Sequence, residues 1–254
     1  MRGIRIFSIG SLLVSLVCII GFIWAYLDQK MPHTAVTTAQ IPQTATEKNE
    51  MKVVALGDSL TRGYGDASGK GYVGDVIDQL RTHSHSSISL SNLAINGQTS
   101  RQLLQQLGQK EVLRQIQQAD VILMTIGGND LNQQGRTIND LNSSHIQEIL
   151  SSYKDNLSHI LQQIRSVNPH ATLYFVGLYN PYMDVTDANS ISQIVRQWNH
   201  ETADLIAGYS NTVFVPTFDL FQLHEDQYLY VDHFHPNTKG YQRIADRITP
   251  LLIP

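Results

Sequence analysis

A parallel β-sheet covered on both faces by helices is the fold class that residues 51–254 predict, and three observations predict it. Short apolar runs rich in β-branched and aromatic residues recur along the chain. Segments with apolar residues at helical spacing separate them. Gly, Asn, Asp or Pro bounds each run. Strands that alternate with helices close a parallel sheet, because two parallel neighbours need a helix-length crossover between them. The chain has 254 residues, 42% hydrophobic and 16% charged, enough apolar material for one such domain plus appendages.

Taken in order, the first element stands apart from that domain. Residues 6–27 carry no charge, and as a helix they would be about 33 Å long, enough to cross a bilayer core. Arg2 and Arg5 precede the stretch, and Asp28 and Lys30 follow it. The excess of positive charge on the N-terminal side predicts a cytoplasmic N-terminus and an extracellular main domain, held by a single-pass anchor over residues 1–27. Trp24 and Tyr26 then fall at the outer interface. A cleaved signal sequence, which would release a secreted protein, is the alternative. The length of the stretch and the lack of a small-x-small site after it disfavour that reading. The only cysteine, Cys18, lies within the stretch, so no intramolecular disulfide can form. Residues 28–50 are polar, small and aperiodic, and read as a linker with a coil reach on the order of 25 Å.

The main domain is expected over residues 51–254. Its strands are predicted at 52–56, 88–95, 121–126, 172–178 and 212–215. Helical segments lie between them. In the longest, Ile146, Ile149, Leu150, Tyr153, Leu157, Ile160, Leu161 and Ile164 form one apolar stripe. A second helix is predicted over 190–209 and the last over 237–252. The sequence contains no internal repeat.

Ligands on parallel sheets bind beyond the carboxyl ends of the strands. Gly57-Asp58-Ser59, Asn96-Gly97 and Gly127-Gly128-Asn129 all fall directly after predicted strands, so three motifs map to one sheet edge. A serine hydroxyl is a poor nucleophile until a base takes its proton, and Ser59 by itself reads equally as a turn or N-cap serine. His235 is the candidate base, with His233 as its competitor. Asp232 lies three residues before His235, close enough to hold an imidazole nitrogen, fix the tautomer and stabilise the imidazolium formed during attack. Gly97 and Asn129, with the backbone N–H of Ser59, are candidate donors to the oxyanion of a tetrahedral intermediate, although each reads singly as a turn residue.

Other clusters carry less. His83 and His85 offer too few ligands for a metal. Gly63-Tyr64-Gly65 lacks the Gly-Lys-Ser/Thr of a phosphate loop and is expected to shape the loop beside Ser59. Residues 131–144, polar and rich in Asn and Gln, form either the rim of a binding site or a plain connection. A net charge of −4 without a basic block argues against nucleic acid as a partner.

Four blocks in order carry a family resemblance: Gly57-Asp58-Ser59-Leu60, Asn96-Gly97-Gln98-Thr99-Ser100, Gly127-Gly128-Asn129-Asp130 and Asp232-His233-Phe234-His235-Pro236. Together they resemble the GDSL or SGNH hydrolase superfamily. The resemblance implies a flavodoxin-like three-layer α/β/α fold with no metal or other cofactor. It implies Ser59 as nucleophile, His235 as base and Asp232 as its orienter, with Ser59, Gly97 and Asn129 as the oxyanion hole. With the anchor and the string Gly177-Leu178-Tyr179-Asn180-Pro181-Tyr182, the chain is similar to membrane-anchored lipase/acylhydrolase-like proteins of Gram-positive bacteria. Tyr179, Asn180 and Tyr182 then either line the substrate side or form a structural turn.

The expected activity is that of an extracytoplasmic serine esterase or lipase. Lipid or lysophospholipid esters are the favoured substrates, because the anchor holds the domain near a membrane. O-acetyl esters of carbohydrate or cell wall, or acyl transfer to another alcohol, are the alternative. A non-catalytic surface-binding module with the same fold is the rival from another class.

Overall fold

β1 (Met51–Gly57) is the second strand of a five-stranded sheet. It pairs in parallel with β2 (Ile88–Asn92) on one side and β3 (Val121–Thr125) on the other. Beyond β3 come β4 (Thr172–Val176) and β5 (Thr212–Val215), all parallel, in the order β2-β1-β3-β4-β5. The sheet grows one way from β1 to β2 and the other way from β3 onward. This flavodoxin-like order opens a crevice at the carboxyl ends of β1 and β3. The computed structural model describes residues 50–83, 87–133 and 141–253. The expected anchor over 1–27, nearly all of the expected linker, His85 and the middle of the 131–144 segment lie outside the described residues. Among the described residues, no helix is long and apolar enough to cross a membrane.

The helices are α1 (Ser59–Arg62), α2 (Gly71–His83), α3 (Ser100–Gln106), α4 (Lys110–Gln117), α5 (Gly128–Asn132), α6 (Ser143–Val167), α7 (Ala188–Ala207), α8 (Phe218–Phe221), α9 (Glu225–Tyr228) and α10 (Thr238–Ile248). Successive strand side chains point to opposite faces. Val54, Leu56, Ile122, Met124, Leu173 and Phe175 face a core that takes its other half from α3, α4, α6 and α7. Val53, Ala55, Leu123, Tyr174, Val176 and Val215 face a second core built on α2 and α10. Burial on both faces explains why β1, β3 and β4 read as unbroken apolar runs rather than as alternating ones.

The long stripe folds as expected. All eight of its residues are buried in α6, which starts at the Asn142 cap and ends at Asn168, ahead of Pro169. Asn168 then holds the next turn in place, donating to the carbonyls of Ile116 and Ala119 and accepting from the amides of His170 and Ala171.

Several boundaries differ from expectation. β1 gains one residue at each end, and β3 and β4 stop at Thr125 and Val176 rather than at residues 126 and 178. β2 ends at Asn92 rather than at residue 95, because the Asn92 side chain accepts from Ala94 N and turns the chain. The amides of Leu93 and Ile95 still donate to β1, at Ala55 and Gly57. α7 sits two residues earlier than predicted and stops before Gly208. The last helix is α-helical only to Ile248. Pro250 has no amide hydrogen to continue it, and residues Thr249–Leu251 tighten into a 3₁₀ turn.

Candidate active site

The site is built where β1 and β3 end. Gly57 stands opposite Thr125, with a φ of 118°, and a Cβ placed on it would lie 1.7 Å from the Thr125 carbonyl oxygen. Only glycine permits that approach. The chain then turns sharply into α1. Asp58 caps the helix by accepting from Leu60 N at 3.1 Å, and it also accepts from Thr125 Oγ1 at 2.7 Å. Thr61 Oγ1 joins Thr125 Oγ1 and the Tyr72 hydroxyl. This buried network fastens the turn to β3 and fixes the position of Ser59, the first residue of α1. Asp58 is 1% exposed, and burial pushes its carboxyl up to about 7 against the opposing bonds from Thr125 and Leu60.

His235 reaches the same point from the far end of the chain. Its Nε2 lies 2.8 Å from Ser59 Oγ, and its Nδ1 lies 2.7 Å from Asp232 Oδ2. Asp232 Oδ1 accepts from the amides of Phe234 and His235, both at 3.0 Å, so the carboxylate closes a small turn around its own imidazole. Partial burial acts to raise the Asp232 carboxyl. The bonds from His235 and the two amides outweigh it and hold the group below the ordinary carboxylate range. His233 is the residue of this turn with a positive φ, 55°, and His235 is the one bonded to Ser59. The turn is pinned by Tyr179, whose hydroxyl donates to the Phe234 carbonyl at 2.6 Å, and by Tyr230, whose amide donates to the His235 carbonyl at 2.7 Å. Tyr64 packs its ring on the His235 imidazole, 4.6 Å between centroids, so the Gly63-Tyr64-Gly65 loop lies beside His235.

After β3, Gly127 with a φ of 109° lays the chain over the stacked rings of Tyr153 and Trp198. A Cβ there would come within 2.7 Å of Tyr153. α5 follows, and Asn129 on its first turn donates from Nδ2 to the Gln98 carbonyl at 3.0 Å. Asp130 accepts from both the amide and the hydroxyl of Ser100, at 2.8 and 2.6 Å. The second and third sequence blocks are thereby tied to each other. Asn129 lines the same pocket as Ser59. Gly97, with a φ of 74° and nothing within 4 Å of where a Cβ would lie, joins the assembly through its neighbour Gln98.

An apolar pocket opens beside Ser59, with about 720 Å³ of empty space counting its open mouth. Leu131, Leu141 and Leu178 form one part of its wall. Ile191, Ile194 and Val195 of α7 form another, and Tyr182 and Phe234 complete it on the side of the base. Tyr179 and Tyr182 both line this pocket. Asn180 does not: it is buried, accepts from Tyr182 N and donates to Ala188 O and Ser192 Oγ, and serves the turn. Of the polar segment 131–144, the described residues Leu131, Asn132 and Leu141 reach the pocket. The α7 residues were not singled out in the sequence. Their only signal is one apolar face of a helix, which core packing explains equally well.

Comparison with known proteins places this geometry in a family. Residues 55–243 match the model of the GDSL-like lipase/acylhydrolase family. The chain is 36% identical to the uncharacterized protein YpmR of Bacillus subtilis (strain 168) over 220 residues, 84% of this chain and 86% of that one. It is 27% identical to the spore germination lipase LipC of Bacillus licheniformis over 201 residues, 78% of this chain and 94% of that one. Among solved structures it is similar to the lipase Lip_vut3 from a goat rumen metagenome. The TM-score is 0.72 at 25% identity, over 80% of this chain and 98% of that one.

Proposed function

The chain belongs to the GDSL-like lipase/acylhydrolase family, and from that premise we propose that it is a serine esterase acting on acyl esters of lipids. The observation that carries this reading is the continuous relay from Asp232 through His235 to Ser59 Oγ, which lines an apolar pocket.

The chemistry follows from the geometry. His235 Nε2 takes the proton of Ser59 Oγ as the oxygen attacks the ester carbonyl carbon. Asp232 holds Nδ1–H and stabilises the imidazolium that results. Negative charge gathers on the former carbonyl oxygen, where the Ser59 backbone N–H, the Gly97 N–H and the second N–H of the Asn129 amide serve as donors. The C–O bond to the alcohol breaks, and His235 returns its proton to the departing oxygen. Water, deprotonated by the same imidazole, then attacks the acyl carbon; the bond to Ser59 Oγ breaks, His235 returns the proton to Oγ, and the acid is released.

The pocket supports the acyl chain of a lipid over an acetylated sugar. Each methylene moved from water into an apolar wall stabilises the complex by about 0.8 kcal/mol, whereas sugar hydroxyls against Leu131, Ile191 and Val195 would lose hydrogen bonds to water without replacement. The lipase names of two relatives point the same way. An extracytoplasmic position, with the domain held at a membrane by residues 1–27, is supported by the uncharged stretch 6–27 and the arginines before it.

The test is hydrolysis of p-nitrophenyl esters from acetyl to palmitoyl by the full chain, with Ser59→Ala alongside. Turnover that needs Ser59 and peaks at medium or long chains is expected. A peak at acetyl would replace the lipid reading with deacetylation, and turnover retained by Ser59→Ala would remove Ser59 as nucleophile.

A further inference from the structure

Eight large apolar side chains are exposed among the described residues, and five of them come from the loops that carry the site. Tyr64 packs on His235, and Tyr230 meets Tyr64 edge-on at 6.4 Å between centroids. Val231, 78% exposed, adjoins Asp232 in the turn that holds the base. Ile95 is half exposed, and its amide donates to the Gly57 carbonyl at 2.8 Å, one residue before the cap of α1. Val185 follows the pocket residue Tyr182 by three positions. None of these contacts belongs to the proton relay, and none of the five side chains lines the pocket. A soluble domain keeps such residues scattered, whereas Tyr64, Tyr230 and Val231 gather around His235 and Ile95 lies at the end of β1, and such a concentration marks a contact surface.

We propose that this cluster is a lipid-docking surface that seats the mouth of the pocket on a bilayer. The inference rests on the esterase reading, which gives the pocket an acyl chain to receive. A chain that leaves a bilayer for the pocket crosses water unless the mouth lies against the lipid, and apolar side chains beside Ser59 remove that crossing. Tyr64 and Tyr230 suit the boundary, since tyrosine places an apolar ring and a polar hydroxyl at the level of the headgroups. The sequence favours lipid over a protein partner at this surface, because residues 6–27 supply an uncharged stretch of bilayer-spanning length in the same chain.

The test uses the full chain in phosphatidylcholine vesicles, with Cys18→Ser removing its single cysteine. An environment-sensitive fluorophore is placed by Val231→Cys or by Ile95→Cys. Leu90→Cys on β2, exposed but outside the site loops, is the reference. Brominated phosphatidylcholine is expected to quench the labels at 231 and 95 at least threefold more than the label at 90. Equal quenching at all three, or none, overturns the proposal. A second measurement joins it to turnover. The double variant Ile95→Ser, Val231→Ser is expected to lose about tenfold in rate on a palmitoyl ester dissolved in the vesicles, with rate on a soluble acetyl ester within twofold of the parent. Equal loss on both substrates by a folded variant also overturns it. Selective quenching without turnover on any ester would leave the docking surface standing and remove the esterase reading.

Discussion

Thr125 Oγ1 donates a hydrogen bond of 2.7 Å to Asp58 Oδ1, joining the end of β3 to the residue before Ser59. The same carboxylate oxygen accepts from Leu60 N, so one buried acid both caps α1 and anchors it to the sheet. The two roles have a consequence for pH. Burial raises the folded-state pKa of Asp58 to about 7, whereas the unfolded chain titrates near 3.8. Between those values the folded protein holds a proton that the unfolded chain has released. Stability from this group is therefore greatest at acid pH and is lost as pH rises toward 7, by on the order of 4 kcal/mol in total. Asp66 is held down to about 2, since bonds from Ser68, Thr238 and Gly71 N outweigh its partial burial. It titrates below that window. Asp58→Asn keeps an acceptor oxygen and does not titrate. Urea midpoints at pH 5 and pH 8 are expected to show the parent losing stability across the interval relative to Asp58→Asn. Parallel slopes would contradict the account.

Asp232→Asn tests the relay at its far end. The amide can still accept from Phe234 N and His235 N, so the turn is kept, but it cannot hold His235 in the tautomer that accepts the serine proton. A fall of about 10⁴ in kcat on a soluble acetyl ester is expected, with an unchanged far-ultraviolet spectrum. A loss below tenfold would show that the Asp232 to His235 bond does little for the reaction.

Much of this was legible in the sequence, and the reasons differ by feature. The sheet was readable because β1, β3 and β4 are buried on both faces and so appear as unbroken apolar runs, and α6 was readable because Ile146 to Ile164 repeat at helical spacing. The relay was readable because Asp232 and His235 are three residues apart and because Ser59 directly follows a strand. The strand ends were not, since Asn92 stops β2 through a side-chain turn that local apolar content hides. The pocket was least legible. Residues 131–144 and Tyr182 could be named as possible lining, but Ile191, Ile194, Val195 and Phe234 come from separate segments, and no local pattern marks residues that meet only in the fold. Asp58 reads as a loop acid, and only its burial reveals a group that titrates near neutrality.

Gly57→Ala tests the close approach of β1 and β3. Its Cβ would sit 1.7 Å from the Thr125 carbonyl oxygen, on a backbone with a φ of 118°. Neither strand can move without breaking the pairing between residues 53–57 and 121–125. A destabilisation of at least about 3 kcal/mol is expected, read as a large drop in the urea midpoint or as failure to fold. An unchanged midpoint would mean that the strands separate there at little cost.

Ile194→Trp tests the assignment of the pocket to the acyl chain. Ile194 is partly buried on α7 and faces the pocket together with Ile191 and Val195. A larger ring at this position takes up space that the far end of a long chain would occupy and leaves the relay untouched. If the ring excludes about four methylenes, the lost transfer energy is about 3 kcal/mol, or roughly two orders of magnitude in the specificity constant. The ratio of palmitoyl to acetyl kcat/KM is therefore expected to fall about a hundredfold, and the preferred chain to shorten. The ratio isolates the chain, because any general disturbance of the site lowers both terms together. A ratio that stays constant while both rates fall would place the acyl chain elsewhere and leave the pocket to the alcohol. The two outcomes separate cleanly because acyl and alcohol groups leave the reacting carbon in different directions from Ser59, which lines the pocket.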